Sequence, residues 1–165
     1  MSIVIFIDQL AKTLARTFLE PGVHYHLLGN IFGLTLHQNN GVAFGFFSWL
    51  PQRISIPLFA VITLLAAIYI MFFYRSIPLD KTLPRISLML ILGGALGNLL
   101  DRILIGRVTD FLDIARFEPT YENIWPVFNL ADFFIISGVI TLFILLLLDR
   151  NFGKKTPSDK PVQLP

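Results

Sequence analysis

Asp101, Asp110 and Asp132, together with Asn98, Asn129 and Arg102, all fall between Gly93 and Asp132, a stretch flanked by apolar runs. Ionisable groups at the edge of a hydrophobic span are costly to keep, so they are the first place to seek chemistry. Asn98, Asp101 and Arg102 stand at i, i+3 and i+4, which places them on one face of a helix. Asn129 and Asp132 are three apart, the spacing of a helix N-cap with a carboxylate at the third helical position. Asp110 sits in Val-Thr-Asp-Phe-Leu-Asp-Ile with Asp113. Each group also has a plainer reading: a polar helix end in water, a capped helix, a solvent-facing acid. Convergence favours chemistry. If the helix ending near Arg102 and the helix starting near Leu130 are neighbours, their ends meet at one depth, and Asp110 lies on the connection between them. Two facing carboxylates cannot both ionise easily, so they hold one proton and titrate as a unit. One member can then take a proton from water while the other donates to a carbonyl oxygen, as metal-free peptide hydrolysis requires. Spacing does not separate Asp110 from Asp113 as the partner of Asp132.

Other chemistries fit less well. The chain has no cysteine, which removes disulfides, thiolate catalysis and cysteine zinc sites. It has neither G-x-S-x-G nor H-E-x-x-H, and no histidine in any apolar span. His24, His26 and His37 read as ordinary loop residues, so neither a metal nor another cofactor is expected. No block of like charge points to nucleic acid.

The elements that must position these groups are membrane helices. Of 165 residues, 55% are hydrophobic and only 15% charged, against about 25% in a soluble domain. The spacing predicts an all-α integral membrane domain over residues 1–150, with four transmembrane helices, and a polar, disordered tail over 151–165. Residues 3–18 lack the positive lead and small-residue cleavage site of a secretory leader and read as an uncleaved first helix. Asp8 and Lys12, at i and i+4 within it, read as an intrahelical ion pair and, for Lys12, nothing more. The remaining spans are placed at 55–74, 86–105 and 130–148. Gly93 and Gly97 form a G-x-x-x-G that admits a close helical neighbour. Between the first two spans, 31–37 is strand-like and Asn39-Asn40-Gly41 is a turn, while 43–50 reads as a surface segment. Arg75, Lys81 and Arg85 in one turn, and Arg150, Lys154, Lys155 and Lys160 in the tail, assign those segments to the cytoplasm. Both termini are then inside, and the long loops bearing Asp110 and Asp132 lie outside.

At these residues the chain resembles the bacterial lipoprotein signal peptidases, the signal peptidase II family. The resemblance rests on Asp8-Gln9 with Lys12; Asn39-x-Gly41-x-Ala43-Phe44; Gly93-Gly94-Ala95-x-Gly97-Asn98-x-x-Asp101-Arg102; Val108-x-Asp110-Phe111; and Trp125-Pro126-x-Phe128-Asn129-x-Ala131-Asp132. Each motif is weak alone; five in order with four spans are specific. The resemblance implies a four-helix membrane aspartyl protease with a small extracytoplasmic β-element and a short interfacial helix. It implies that Asp110 and Asp132 are the catalytic pair and that Asp113 is not. It also implies substrate-binding or supporting roles for Asn39, Gly41, Asn98, Arg102 and Asn129, with Asp8 and Asp101 holding these groups in place. The implied substrate is a prolipoprotein with a diacylglyceryl-modified cysteine, cut just before that cysteine. A bacterial cytoplasmic (inner) membrane location, contact with membrane lipid, sensitivity to globomycin-type inhibitors and a monomeric state are expected with it. Two rival classes remain: a small carrier using its acids as a proton path, and a scaffold binding through the G-x-x-x-G face.

Overall fold

The computed structural model describes residues 1–29, 31–40, 49–116 and 122–148. Gly41, most of the expected surface segment at 43–50 and the tail at 151–165 lie outside the described residues. The described chain is mostly helical: α1 (Ser2–Phe18), α2 (Gln52–Ser76), α3 (Thr82–Ile105) and α4 (Leu130–Leu148), with four strands, β1 (His24–Leu28), β2 (Phe32–Asn39), β3 (Val108–Arg116) and β4 (Glu122–Phe128).

Among the described residues, three helices are long and apolar enough to cross a membrane, at Arg53–Ser76, Thr82–Ile105 and Leu130–Leu148. They match the second, third and fourth expected spans, with the second and third starting a few residues earlier. At 1.5 Å per residue, the 17 residues of α1 rise about 25 Å, short of a hydrocarbon core of about 30 Å. Its faces are nonetheless sharply divided. Val4, Asp8, Lys12 and Ala15 form one buried stripe, while Ile3, Phe6, Leu10, Leu14 and Phe18 are exposed. The same inversion runs through the bundle. Large apolar side chains of α2 and α4, among them Leu65, Phe72, Phe143 and Leu147, face outward. The polar end of α3 (Asn98, Asp101, Arg102) is buried.

Glycines set the helix spacing. A methyl at Gly93 would stand 2.8 Å from Val4 Cγ1, and one at Gly97 would stand 2.6 Å from Asp8 Oδ2. The expected G-x-x-x-G contact is therefore made by α1. Gly94, one position on, faces α4 instead, against the Ala131 carbonyl and Ile135. Only residues without a Cβ allow α3 to approach both neighbours this closely.

The four strands form one antiparallel sheet in the order β1-β2-β3-β4. The strand-like reading of 31–37 corresponds to β2. Periodicity assigns no strand to 108–116 or 122–128, so β3 and β4 are additions made by the structure. Their pairing sets Leu112 opposite Phe128. That register carries the chain from β4 into α4 alongside Asp110. At the other end of β3, Gly106 closes α3 with φ 81°, a left-handed conformation that favours glycine, and turns the backbone into the sheet.

Candidate active site

Asp110 and Asp132 reach one cleft from different elements. Asp110 projects from β3 and is 1% exposed; Asp132 lies in the first turn of α4 and is half-buried. The cleft has a volume of about 210 Å³. Asn39, Asp110 and Asp132 form its polar side, and Trp125, Phe128 and Ile135 belong to its apolar wall.

Asn129 joins the two acids. Its side-chain oxygen accepts from the Asp132 backbone N–H at 3.0 Å, and Asp132 Oδ2 accepts from the Asn129 N–H at 3.2 Å. This is the reciprocal cap expected from the spacing. The amide has a second task that the spacing did not reveal: Asn129 Nδ2 donates to Asp110 Oδ1 at 2.6 Å. Capping and carboxylate contact are thus performed by one side chain, itself fully buried. Asn39 Nδ2 holds the other oxygen of Asp110 at 2.9 Å. Asn98 Nδ2 holds Asp132 Oδ1 at 2.8 Å.

Burial pushes the Asp110 carboxyl up to about 7, and the negative charge of Asp132 adds to the rise. The amides of Asn39 and Asn129 and the ammonium of Lys12 oppose it. A carboxyl so poised is substantially protonated at neutral pH, when an ordinary aspartate is ionised.

The remaining acids are engaged elsewhere. Asp113 projects from β3 three residues after Asp110, an odd spacing that sends the two side chains to opposite faces of a strand. It accepts from Thr35 Oγ1 at 2.5 Å and lies 3.5 Å from His24 Nδ1. The alternative that spacing left open, Asp113 facing Asp132, is therefore not the arrangement found. His24 serves this cluster, and no grouping that could hold a metal occurs among the described residues. Asp101, 0% exposed, accepts from the Thr109 backbone N–H at 2.8 Å and approaches Arg16 at 3.5 Å. Asp8 pairs with Lys12 at 2.9 Å and accepts from the Ala131 N–H, at the start of α4, at 2.9 Å. Arg102 donates to the Asn98 carbonyl at 3.1 Å and stacks 5.3 Å above the Phe59 ring. The plain reading of Asn98, Asp101 and Arg102 as a solvent-facing helix end does not hold, because all three are buried.

Two residues exceed their sequence-based reading. Lys12 makes the expected pair with Asp8 and also bonds Asn98 at 2.8 Å and approaches Asp101 at 3.6 Å. Gln9 was visible only as part of a motif. Its Nε2 donates to the Gly97 carbonyl at 3.0 Å and to Asp101 Oδ1 at 3.3 Å, tying α1 to α3. The available signal for Lys12 was the stripe Val4-Asp8-Lys12-Ala15, which turns a lysine to a packed face. Removing one partner from a buried ion pair costs about 3–5 kcal/mol, so this cluster is a structural commitment.

A family model described as signal peptidase (SPase) II matches residues 1–148. Among curated relatives, the lipoprotein signal peptidase of Moorella thermoacetica is 46% identical over 94% of this chain and 95% of its own. That of Syntrophotalea carbinolica is 38% identical over 84% of this chain and 82% of its own. Two solved structures, each described as a bacterial membrane enzyme determined by the in meso method, are similar throughout. One, at 2.3 Å resolution, has a TM-score of 0.77 and 31% identity over 98% of this chain and 91% of its own. The other, at 1.9 Å, has a TM-score of 0.74 and 30% identity over 90% of each.

Proposed function

The chain belongs to the signal peptidase II family, and we propose that Asp110 and Asp132 are the pair with which it cleaves. It is a membrane protease that removes signal peptides from lipoproteins. The observation carrying the assignment is Asn129, which caps α4 through Asp132 while donating to Asp110. Both carboxylates therefore border one cleft, with an apolar wall beside them.

In this reading Asp110 holds the shared proton and donates it to the scissile carbonyl oxygen. Asp132 takes a proton from the attacking water, so the tetrahedral intermediate forms without a metal. Asp132 then gives its proton to the scissile nitrogen while Asp110 takes one back from a hydroxyl of the intermediate, the carbonyl re-forms, the C–N bond breaks and the amine of the new N-terminus leaves. Asn39, Gly41 and Arg102 hold the extended substrate backbone. Asn98 and Asn129 orient the dyad, and Asp8 and Asp101 hold the helices that carry it. The substrate is a diacylglyceryl-modified prolipoprotein, cut just before the lipidated cysteine. Its acyl chains stay among lipid beside the exposed apolar faces of α2 and α4. Globomycin-type inhibitors would occupy the same cleft.

The layout in the membrane follows from the same premises. α1 acts as a fourth span, its charged stripe turned inward. Arg75, Lys81 and Arg85 lie in or beside the turn joining α2 and α3 and assign it to the cytoplasm. Both termini are then cytoplasmic, with the sheet and the dyad on the outer face of a bacterial inner membrane. The enzyme acts as a monomer.

The test is Asp110→Asn and, separately, Asp132→Asn, in purified protein acting on a diacylglyceryl-modified prolipoprotein. Each variant is expected to insert normally and to lose cleavage. Cleavage retained by either one refutes the assignment. A proton carrier would lose a flux and leave the precursor unaffected.

A further inference from the structure

Lys12 is 0% exposed and is not among the residues lining the cleft, yet it bonds the amide that holds Asp132. Asn98 Oδ1 accepts from Lys12 Nζ at 2.8 Å and from Asn129 Nδ2 at 3.2 Å. With two donors on its oxygen, the Asn98 amide cannot flip without setting its NH₂ against an ammonium. Its NH₂ must therefore face Asp132, which it does at 2.8 Å.

The charges around Lys12 close in a specific way. Lys12 meets Asp8 from α1 and Asp101 from α3, and its charge acts on Asp110 of β3 and Asp132 of α4; Arg16, one turn on in α1, approaches Asp101, and Arg102 of α3 interacts with Asp101, Asp110 and Asp132. Those are four carboxylates against three cations. One proton on the dyad brings the cluster to neutrality; none leaves it negative, and two leave it positive. Arg16 and Asp132 are partly exposed and the other five members are buried, and low dielectric around those five favours the neutral count.

We propose that Lys12 is a positioning residue for the cleavage reaction, locking the Asn98 amide toward Asp132 and supplying the charge that leaves a single proton on the carboxylate pair. Loss of that charge calls a second proton into the cluster, and a doubly protonated dyad has no base to receive a proton from water. The charge of Lys12 is among the influences that hold the Asp110 carboxyl down. The inference rests on the proposed role of the dyad.

The test is the pH profile of kcat/KM for Lys12→Gln, Asp8→Asn and the double variant, each measured on monodisperse, folded protein. A glutamine retains a donor toward Asn98 and removes the charge. Lys12→Gln should move the profile to higher pH by about one unit, the order expected for one close charge. Asp8→Asn, which removes a negative charge from the same cluster, should move it to lower pH. The double variant should return to the wild-type position, as should Lys12→Arg. A role confined to folding lowers the yield and leaves the profiles superposed. If Lys12→Gln does not fold, the opposite displacement of Asp8→Asn and the recovery in the double variant carry the test. Superposed profiles, or displacements of the same sign, overturn the inference. If Asp110→Asn or Asp132→Asn still cleaves, the dyad assignment has failed; if both are inactive and the profiles do not move, only the role of Lys12 has.

Discussion

Replacing Asn129 separates two jobs that one side chain performs. Asn129→Ala removes the cap on the Asp132 N–H and the 2.6 Å donation to Asp110. Asn129→Ser keeps a capping oxygen, since serine and asparagine are comparable N-caps, and lacks an amide long enough to reach Asp110. Loss of the cap costs about 1 kcal/mol of stability. Asp110 becomes charged as it donates its proton in the proposed reaction, and loss of a hydrogen bond to a charged partner costs about 1.5–3 kcal/mol. At about 1.4 kcal/mol per factor of ten, the second term lowers kcat/KM by about 10- to 100-fold if it is expressed in the transition state. The two variants should therefore lose similar activity, while Asn129→Ser keeps about 1 kcal/mol more stability than Asn129→Ala. Asn129 also holds the Asp110 carboxyl down, so both variants should shift the alkaline limb of activity to higher pH. The assay is cleavage of a lipidated precursor across a pH series, with thermal unfolding in the same detergent. Cleavage within about twofold of wild type, with an unmoved alkaline limb, would refute the claim that Asn129 couples the carboxylates.

Further outcomes follow from the same geometry. Activity should fall as pH rises through about 7, where Asp110 gives up the proton that its proposed acid role requires. Asn39→Ala removes a hydrogen bond that holds this carboxyl down, so the falling limb should move to higher pH; a shift to lower pH would contradict the proton assignment. Asp113→Asn should keep measurable cleavage while weakening the sheet, because Asp113 faces Thr35 and His24; abolished cleavage in a folded variant would reopen its role. Gly94→Ala drives a methyl against the Ala131 carbonyl, an overpacking that typically costs about 1–3 kcal/mol and displaces the start of α4. Lower thermal stability together with lower activity is expected there, and an unchanged unfolding temperature would show that the helices have room to part.

Local periodicity made much of this protein legible. The spans α2, α3 and α4 follow from the length of continuous apolar runs, and the shared face of Asn98, Asp101 and Arg102, the pairing of Asp8 with Lys12 and the cap at Asn129 depend on residues three or four positions apart. Helical geometry brings such residues together whatever else the chain does. The family motifs added Asp110 by order along the chain. Tertiary structure decided the rest. Spacing alone cannot rank Asp110 and Asp113 until strand pairing assigns their faces, and β3 and β4 are set by a register between distant segments. Lys12 looked like half of a local ion pair because its other partners, Asn98 and Asp101, lie on α3. Spacing within one helix names the neighbour a turn away, while the partner that defines a buried charge is chosen by which helix the glycines admit against it.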